Sequence, residues 1–149
     1  QESEDLVLSL RMGTRSYGVR LSEISGIHRC PKIVPLPGSK PVCLGIVSLR
    51  GRLHAAFHLG LLLGVSAATN TPRWLILAQG KNAPSFAVDT IEACLPIKLE
   101  DIRTIERVDA EKAHSNALFV HEGVTRELLH FPSLVASAID DGTRSRAGG

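Results

Sequence analysis

The stretch from Leu36 to Gly64 narrows the fold most, because it reads as loop, strand, tight turn, strand and short helix in that order. Pro37 and Pro41 stiffen the approach. Val42 to Val47 is a run of small and β-branched residues, the composition of a strand buried on both faces. Ser48-Leu49-Arg50-Gly51 then reverses the chain, and Gly51 supplies the positive φ that a tight hairpin requires. Arg50 sits at the mouth of this turn. A cation there is poorly placed for a core and well placed for a partner's carboxylate. Leu59 to Leu63 reads as a short helix stopped by Gly64.

The same grammar of short strands and frequent turns runs through the rest of the chain. Leu6 to Leu10, Met12-Gly13-Thr14 and the period-two series Tyr17, Val19, Leu21 predict a hairpin. Leu21, Ile24 and Ile27 are spaced for one helical turn, and Cys30-Pro31 ends that segment. Ile33 to Pro41 is a Pro-rich surface connection, and Ser66 to Pro72 a loop. Trp74 to Ala78, Phe86 to Val88 and Ile91 to Ile97 are strands, the last with Pro96 at an edge or end. Leu99 to Arg107 is a helical turn or amphipathic loop, and Asp109 to Asn116 the least structured interior segment. Leu118 to Val120 and Leu128 to Phe131 form a hairpin around Glu122-Gly123. Pro132 opens a helix over Ser133 to Ile139. Asp140 to Gly149 is polar and predicts a disordered tail. No repeat of fixed period is present. The strands fall into two groups around Ser66–Pro72, which points to an all-β fold, with short helices, of the barrel or sandwich kind.

Composition removes several function classes. A length of 149 residues and a hydrophobic fraction of 44% suit one domain, or one domain of two small lobes, with a real core. The net charge is +2 and no Lys/Arg block stands out, so the chain lacks the footprint of a nucleic-acid binder. One Trp, one Tyr and four Phe are few for base stacking. No apolar run approaches the ~18 residues of a membrane span. Gln1 to Asp5 is not a signal or transit peptide, and without an initiator Met the chain is expected to be a fragment. Three cysteines with no CxxC spacing fit a reducing, cytoplasmic setting.

Catalytic and metal readings find little support. His54 and His58 would make a zinc pair on a helix, but on a strand four residues span ~13 Å at ~3.3 Å each. His28 and Cys30 have no second ligand pair at a suitable spacing. Cys43 and Cys94 lie in apolar strands, where a thiol acts as a small hydrophobe. Cys30 has Arg29 and His28 beside it but no further sign of an activated thiol. Asp89, Glu92, Glu100 and Asp101 are scattered, and Gly60 and Gly64 lack the Lys-Ser/Thr of a phosphate loop. No cofactor is expected. Recognition of another macromolecule by its surface remains, with a small nucleic-acid-binding barrel and a thiol or metal enzyme as competing classes.

The order Pro37, Pro41, Gly45, Leu49, Arg50, Gly51, Leu59 resembles the CheW family of chemosensory coupling adaptors. Tyr17-Gly18-Val19, Phe86 to Glu92 and Leu128 to Val135 resemble further family segments, so the likeness spans roughly Leu6 to Ala138. It implies two SH3-like, five-stranded β-barrel lobes sharing a hydrophobic core, over residues 6–139, with flexible ends at 1–5 and 140–149. It also implies a non-enzymatic adaptor between a methyl-accepting chemoreceptor tip and the regulatory domain of a CheA-type histidine kinase, with CheW-like ring contacts and no membrane insertion. The partner-binding residues it implies are Arg50, Ile24, Ile27, Gly45, Ser48, Gly51 and Cys94. This chain departs from the family pattern at Ser48, where the turn usually begins with Asn. Gly26 replaces an acidic residue, His58 a helix-capping Asp, and Ala117 a late Gly. These departures suit a divergent paralogue that retains one partner interface.

Overall fold

The computed structural model describes residues 3–65, 72–105 and 114–147, the last seven by backbone alone. Eleven strands and two helices are formed among these residues. The first half runs β1 (Glu4–Met12), β2 (Arg15–Arg20), a 3-10 turn (Leu21–Glu23), β3 (Ile24–Arg29), β4 (Cys43–Leu49), β5 (Arg52–His58) and α1 (Leu59–Leu62). The second runs β6 (Trp74–Ala78), β7 (Ser85–Val88), β8 (Thr90–Lys98), a 3-10 turn (Leu99–Asp101), β9 (Ile102–Thr104), β10 (Ser115–His121), β11 (Val124–Leu129) and α2 (Phe131–Ala147).

These strands build two sheets. One is ordered β8-β1-β2-β11-β10-β9 and the other β3-β6-β7-β5-β4. Each contains a single parallel pairing, β2 with β11 and β7 with β5, and every other neighbour is antiparallel. The first five strands of the six-stranded sheet therefore pair in the same pattern as the five of its companion. The sixth, β9, is only three residues long. The two-lobed, mostly β architecture expected from the sequence is the one formed, with β9 as an addition. The halves of the chain also follow one element order, hairpin, third strand, second hairpin and helix. They exchange first hairpins, since β1–β2 pairs with β8 and β11, and β6–β7 with β3 and β5.

Three apolar clusters hold this together. Val7, Ile97, Ala117, Phe119 and Leu128 meet inside the six-stranded sheet, which must curl to bring β8 and β10 to one cluster. Val47, Leu49, Ala56, Leu75 and Ala87 fill the five-stranded lobe. The largest cluster lies between the sheets, where Leu8, Leu10, Met12, Tyr17 and Val19 from one pack on Phe57, Ile76, Phe86 and Val88 from the other. Side chains alternate across a strand, so β1 sends Val7 into its own lobe and Leu8 and Leu10 into the shared core. Both helices end in this shared core, α1 through Leu59 and α2 through Phe131, Leu134 and Ala138. Phe86 touches Phe57 at 6.2 Å and Phe131 at 5.1 Å between ring centroids.

Several expectations shift. The helical turn expected over Leu21 to Ile27 stops at Glu23, and Ile24 already begins β3; two β-branched residues flanking Gly26 favour the extended chain. β4 is an edge strand with half-buried positions, not one buried on both faces; on its outer edge Val34 forms a bridge to Ile46. Asn116, expected in an unstructured segment, already lies in β10. Helix α2 continues past Ile139 to Ala147, because an established helix adds one hydrogen bond per residue and no proline interrupts it. The readings at 66–71 and 106–113 lie outside the described residues.

Candidate functional site

The β4–β5 turn closes in two residues, with Leu49 opposite Arg52. Arg50 has φ 50° and Gly51 φ 78°, the paired positive values of a type I′ turn. Gly51 takes this conformation freely, whereas Arg50 is held in the left-handed region at a cost of about 1 kcal/mol. The effect is to present the guanidinium at an exposed tip. Among the described residues Arg50 has no ion pair. Its charge is felt by His28, whose pKa is lowered by burial first and then by Arg50 and His54. Ser48 and Arg52 are exposed beside it, and Leu53, opposite Ser48, is 69% exposed.

The other expected residues divide into three groups. Ile24, 6% exposed, belongs to the shared core. Gly45 is buried with φ 139°, and a Cβ there would overlap the Val34 carbonyl. Its role is to let Val34 and Ile46 exchange hydrogen bonds of 2.9 and 2.8 Å, which fixes the Pro-rich connection against β4. Ile27, 39% exposed, lies opposite Ile76 and so shares the face that enters the core, but at its rim. Arg29, on the same strand, lies 5.6 Å from the centroid of the Trp74 ring. Cys94 is exposed, not buried as its apolar strand suggested. It sits opposite Leu8 on the outermost strand of the six-stranded sheet, where the shared core ends. Leu6 and Pro96, also opposite each other, continue this rim and are exposed.

The arrangement therefore gathers Arg50, Ser48 and Gly51 at one hairpin tip. It leaves Ile27 and Cys94 on the rims of two sheets and withdraws Ile24 and Gly45 into the interior. Leu53 and Trp74 were missed by the sequence reading. Leu53 was legible as the outward position of a period-two strand, since His54 next to it points inward.

The histidines are used structurally. His54 is buried and its Nδ1–H donates to the Ala83 carbonyl at 2.8 Å. His58 Nδ1 accepts from the Leu61 amide at 3.2 Å, so a histidine performs the cap of α1 where the family pattern has Asp. Both lie on β5, as the strand reading required. Among the described residues no group of three or more His, Cys, Asp or Glu is placed to hold a metal ion. Burial pushes the Cys30 thiol pKa up, the wrong direction for a nucleophile. No helix among the described residues is long and apolar enough to cross a membrane.

Glu23 was not singled out from the sequence, yet it ties the two ends of the chain together. Its Oε1 accepts from the Phe131 amide at 3.0 Å, at the start of α2, and its Oε2 lies 3.9 Å from Arg20. A carboxylate at a helix N-terminus is favoured by the helix dipole.

Comparison with known proteins adds two findings. Residues 6–138 match the family model described as a CheW-like domain. The fold resembles the crystal structure of the scaffolding protein TtCheW from Thermoanaerobacter tengcongensis. The TM-score is 0.74 at 14% identity, over 85% of this chain and 89% of that one. No curated protein sequence matches.

Proposed function

This chain belongs to the CheW-like domain family, and from that premise we propose that it is a non-enzymatic adaptor. In this reading it couples a methyl-accepting chemoreceptor tip to the regulatory domain of a CheA-type histidine kinase, in the cytoplasm, within a bacterial chemosensory array. Residues 6–139 act as one two-lobed unit. The observation that carries the reading is Arg50, a guanidinium with no ion pair among the described residues, held in a strained conformation at an exposed hairpin tip. Strain of this kind persists where the surrounding structure dictates it and is often tied to recognition. Arg50 takes a partner's carboxylate, Ser48 and Gly51 shape the tip, and Ile27 and Cys94 offer apolar rims to an amphipathic helix. Ile24 and Gly45 support these surfaces from beneath.

The scaffold acts by geometry. A receptor state that fits the rims better than its alternative transmits that difference in contact energy to the kinase. Single contacts are modest, and a lattice of many supplies avidity.

The test is co-purification of the full chain with a receptor tip and a kinase regulatory domain from the same genome. Arg50→Ala is expected to weaken capture by about tenfold or more, with stability changed by less than about 0.5 kcal/mol. Equal capture of both partners by wild type and variant overturns the assignment. The withdrawal of Ile24 and Gly45 from the surface favours a narrower version, a divergent paralogue with one working interface. Loss of one partner but not the other on Arg50→Ala supports it.

A further inference from the structure

The near-neutral total hides a division of charge between the lobes. Residues 24–88 contain every strand of the five-stranded sheet, with seven Lys and Arg and no Asp or Glu. All 15 acidic residues lie in the remainder, which carries ten Lys and Arg. One lobe is formally +7 and the rest of the chain −5, against a total of +2. The fold does not demand this. The β10–β11 tip, Glu122-Gly123 at φ 50° and 77°, repeats the backbone of the Arg50-Gly51 tip with the opposite charge.

Every cation of the five-stranded lobe is exposed, and among the described residues none of them has an ion pair. Arg11 and Arg20 of the other lobe, by contrast, each reach a carboxylate. The unpaired cations are dispersed. Arg29 ends β3, Lys32 and Lys40 lie on the Pro-rich connection, and Arg50 and Arg52 stand at the β4–β5 turn. Arg73 precedes β6, its carbonyl accepting from the Cys30 amide at 2.9 Å, so its backbone lies beside the end of β3. Lys81 lies in the β6–β7 turn. Exposed aliphatic side chains are interleaved with the charges: Ile27 two residues before Arg29, Val34 two after Lys32, and Leu53 next to Arg52. Arg29 also lies over the ring of Trp74, at 5.6 Å from its centroid, and covers one face of the lobe's single tryptophan.

We propose that the five-stranded lobe binds a flexible acidic segment of another protein, one whose Asp and Glu residues are interspersed with aliphatic side chains. Charge complementarity selects an anion, and arginine in particular matches a carboxylate with two parallel hydrogen bonds. Dispersal selects flexibility. Cations on a strand end, a connection and two turns are met together by a chain that bends round the lobe, and 20 extended residues reach about 70 Å. The aliphatic side chains between the charges select a polypeptide over nucleic acid, since they offer a phosphate backbone nothing, and the face of Trp74 that Arg29 covers is closed to a base. Duplex DNA is also stiff over about 150 base pairs, so it touches one side of the lobe and brings its phosphates up to the acidic remainder. The lobe's field steers the segment in, and salt screens it. This surface is additional to the receptor and kinase contacts of the adaptor reading. Arg50 belongs to both, so the test leaves it unchanged.

The experiment is fluorescence anisotropy of the full chain with a labelled peptide of about 20 residues that repeats Glu-Leu-Asp-Ser. Binding is expected at about 0.1 M salt and at least about tenfold weaker at about 1 M, where a charge reaches about 3 Å instead of about 10 Å. A peptide with Ser in place of Leu is expected to bind at least about threefold more weakly, and one with Gln and Asn in place of the acids not at all. Arg73→Glu is expected to weaken binding at least about tenfold. Arg103→Glu makes the same change of charge at an exposed position on β9 and is expected to weaken it by less than about twofold. Lys32→Glu, on a different element, is expected to repeat the loss, so the test survives a failure of Arg73→Glu to fold. The proposal is overturned if the first peptide does not bind at about 0.1 M salt, if its binding ignores salt, or if Arg73→Glu and Arg103→Glu lose equally. Equal affinity for the Leu-free peptide, for a DNA duplex of about 20 base pairs or for phosphatidylglycerol vesicles also overturns it, since the surface then selects charge alone. Receptor and kinase capture is the separate readout. Capture retained by Arg73→Glu while peptide binding is lost supports a distinct surface; loss of both assigns it to the adaptor contacts and overturns the proposal.

Discussion

The two lobes share a pairing pattern and differ in what secures them. In the six-stranded lobe, side-chain charge closes the sheet. β8 carries a bulge at Glu92, where the register passes from Ser9–Ala93 to Leu10–Ile91. The displaced carboxylate accepts from Ser9 Oγ and from Arg11, each at 2.8 Å. Arg20 reaches Asp5 at 3.6 Å, and Asp89 accepts from the Gly13 amide at 2.9 Å. The five-stranded lobe has no carboxylate to offer. Uncharged contacts replace ion pairs there: Gly45 beneath Val34, His54 on the Ala83 carbonyl, and Ser85 Oγ donating to the Ala55 carbonyl at 3.1 Å. One topology thus tolerates two kinds of fastening, provided that the shared core is filled.

The strongest way to break the comparison is to empty that core. Phe86→Ala removes a ring fully buried between Phe57 and Phe131 and is expected to cost about 3–5 kcal/mol. Both lobes should unfold together. Fluorescence of Trp74, on β6, and amide exchange in β10–β11 should report one transition; separate transitions mean that the lobes are independent. Gly45→Ala is expected next, at roughly 2 kcal/mol, because its Cβ meets backbone that cannot turn aside. Its exchange signature should stay in β3–β7, and spread to β1–β2 would contradict a local fastening.

The tips sharpen the comparison. Arg50→Asn and Glu122→Asn each place a residue that tolerates the left-handed region, so each is expected to gain up to about 1 kcal/mol in thermal or denaturant unfolding. Only Arg50→Asn should impair kinase or receptor capture. Equal loss from both would make the lobes functionally alike.

The smallest effects separate the lobes by pH. Burial alone would raise Glu92, but hydrogen bonds from Arg11 and Ser9 outweigh it and hold the carboxyl below its usual 4.5. Its contribution is complete above that value and is lost as pH falls through the lowered one. His28 is lowered from 6.5 by burial, Arg50 and His54, so the folded lobe resists the proton that the unfolded chain accepts. Stability should therefore decline in two steps as pH falls, first below about 6.5 through His28 of the five-stranded lobe and again below about 4.5 through Glu92 of the six-stranded lobe. Local amide exchange across this range checks the order. His28→Gln should remove the upper window and Arg11→Ala the lower.

Where glycine or proline dictates the backbone, the sequence was legible. Gly13, Arg50-Gly51 and Glu122-Gly123 located all three two-residue hairpins, and Pro96 fell on an edge strand as expected. The family likeness supplied the two lobes, which alternation alone does not distinguish from a sandwich. The short β9 escaped because three residues carry no usable period. The doubled element order escaped because it requires only alternating apolar residues, which many sequences satisfy. Cys94 was misjudged since an apolar strand at the edge of a sheet looks the same as a buried one. The charge division was visible in the sequence as a stretch of 65 residues without an acid, but the net value concealed it. Arg50 was legible as a turn cation; its φ, and its likeness to Glu122, were not.

The exchanged first hairpins also bear on how the protein is made. β1 and β2 have no neighbours besides each other until β8 and β11, some 75 to 110 residues later, have left the ribosome. The cationic lobe, by contrast, is one continuous stretch and its sheet can assemble as soon as β7 emerges. The amino-terminal hairpin can lay Leu8 and Leu10 on that sheet early, but Val7, on its other face, stays uncovered until β8, β10 and β11 arrive, and the contact between Glu23 and Phe131 then ties the hairpin's end to the start of α2.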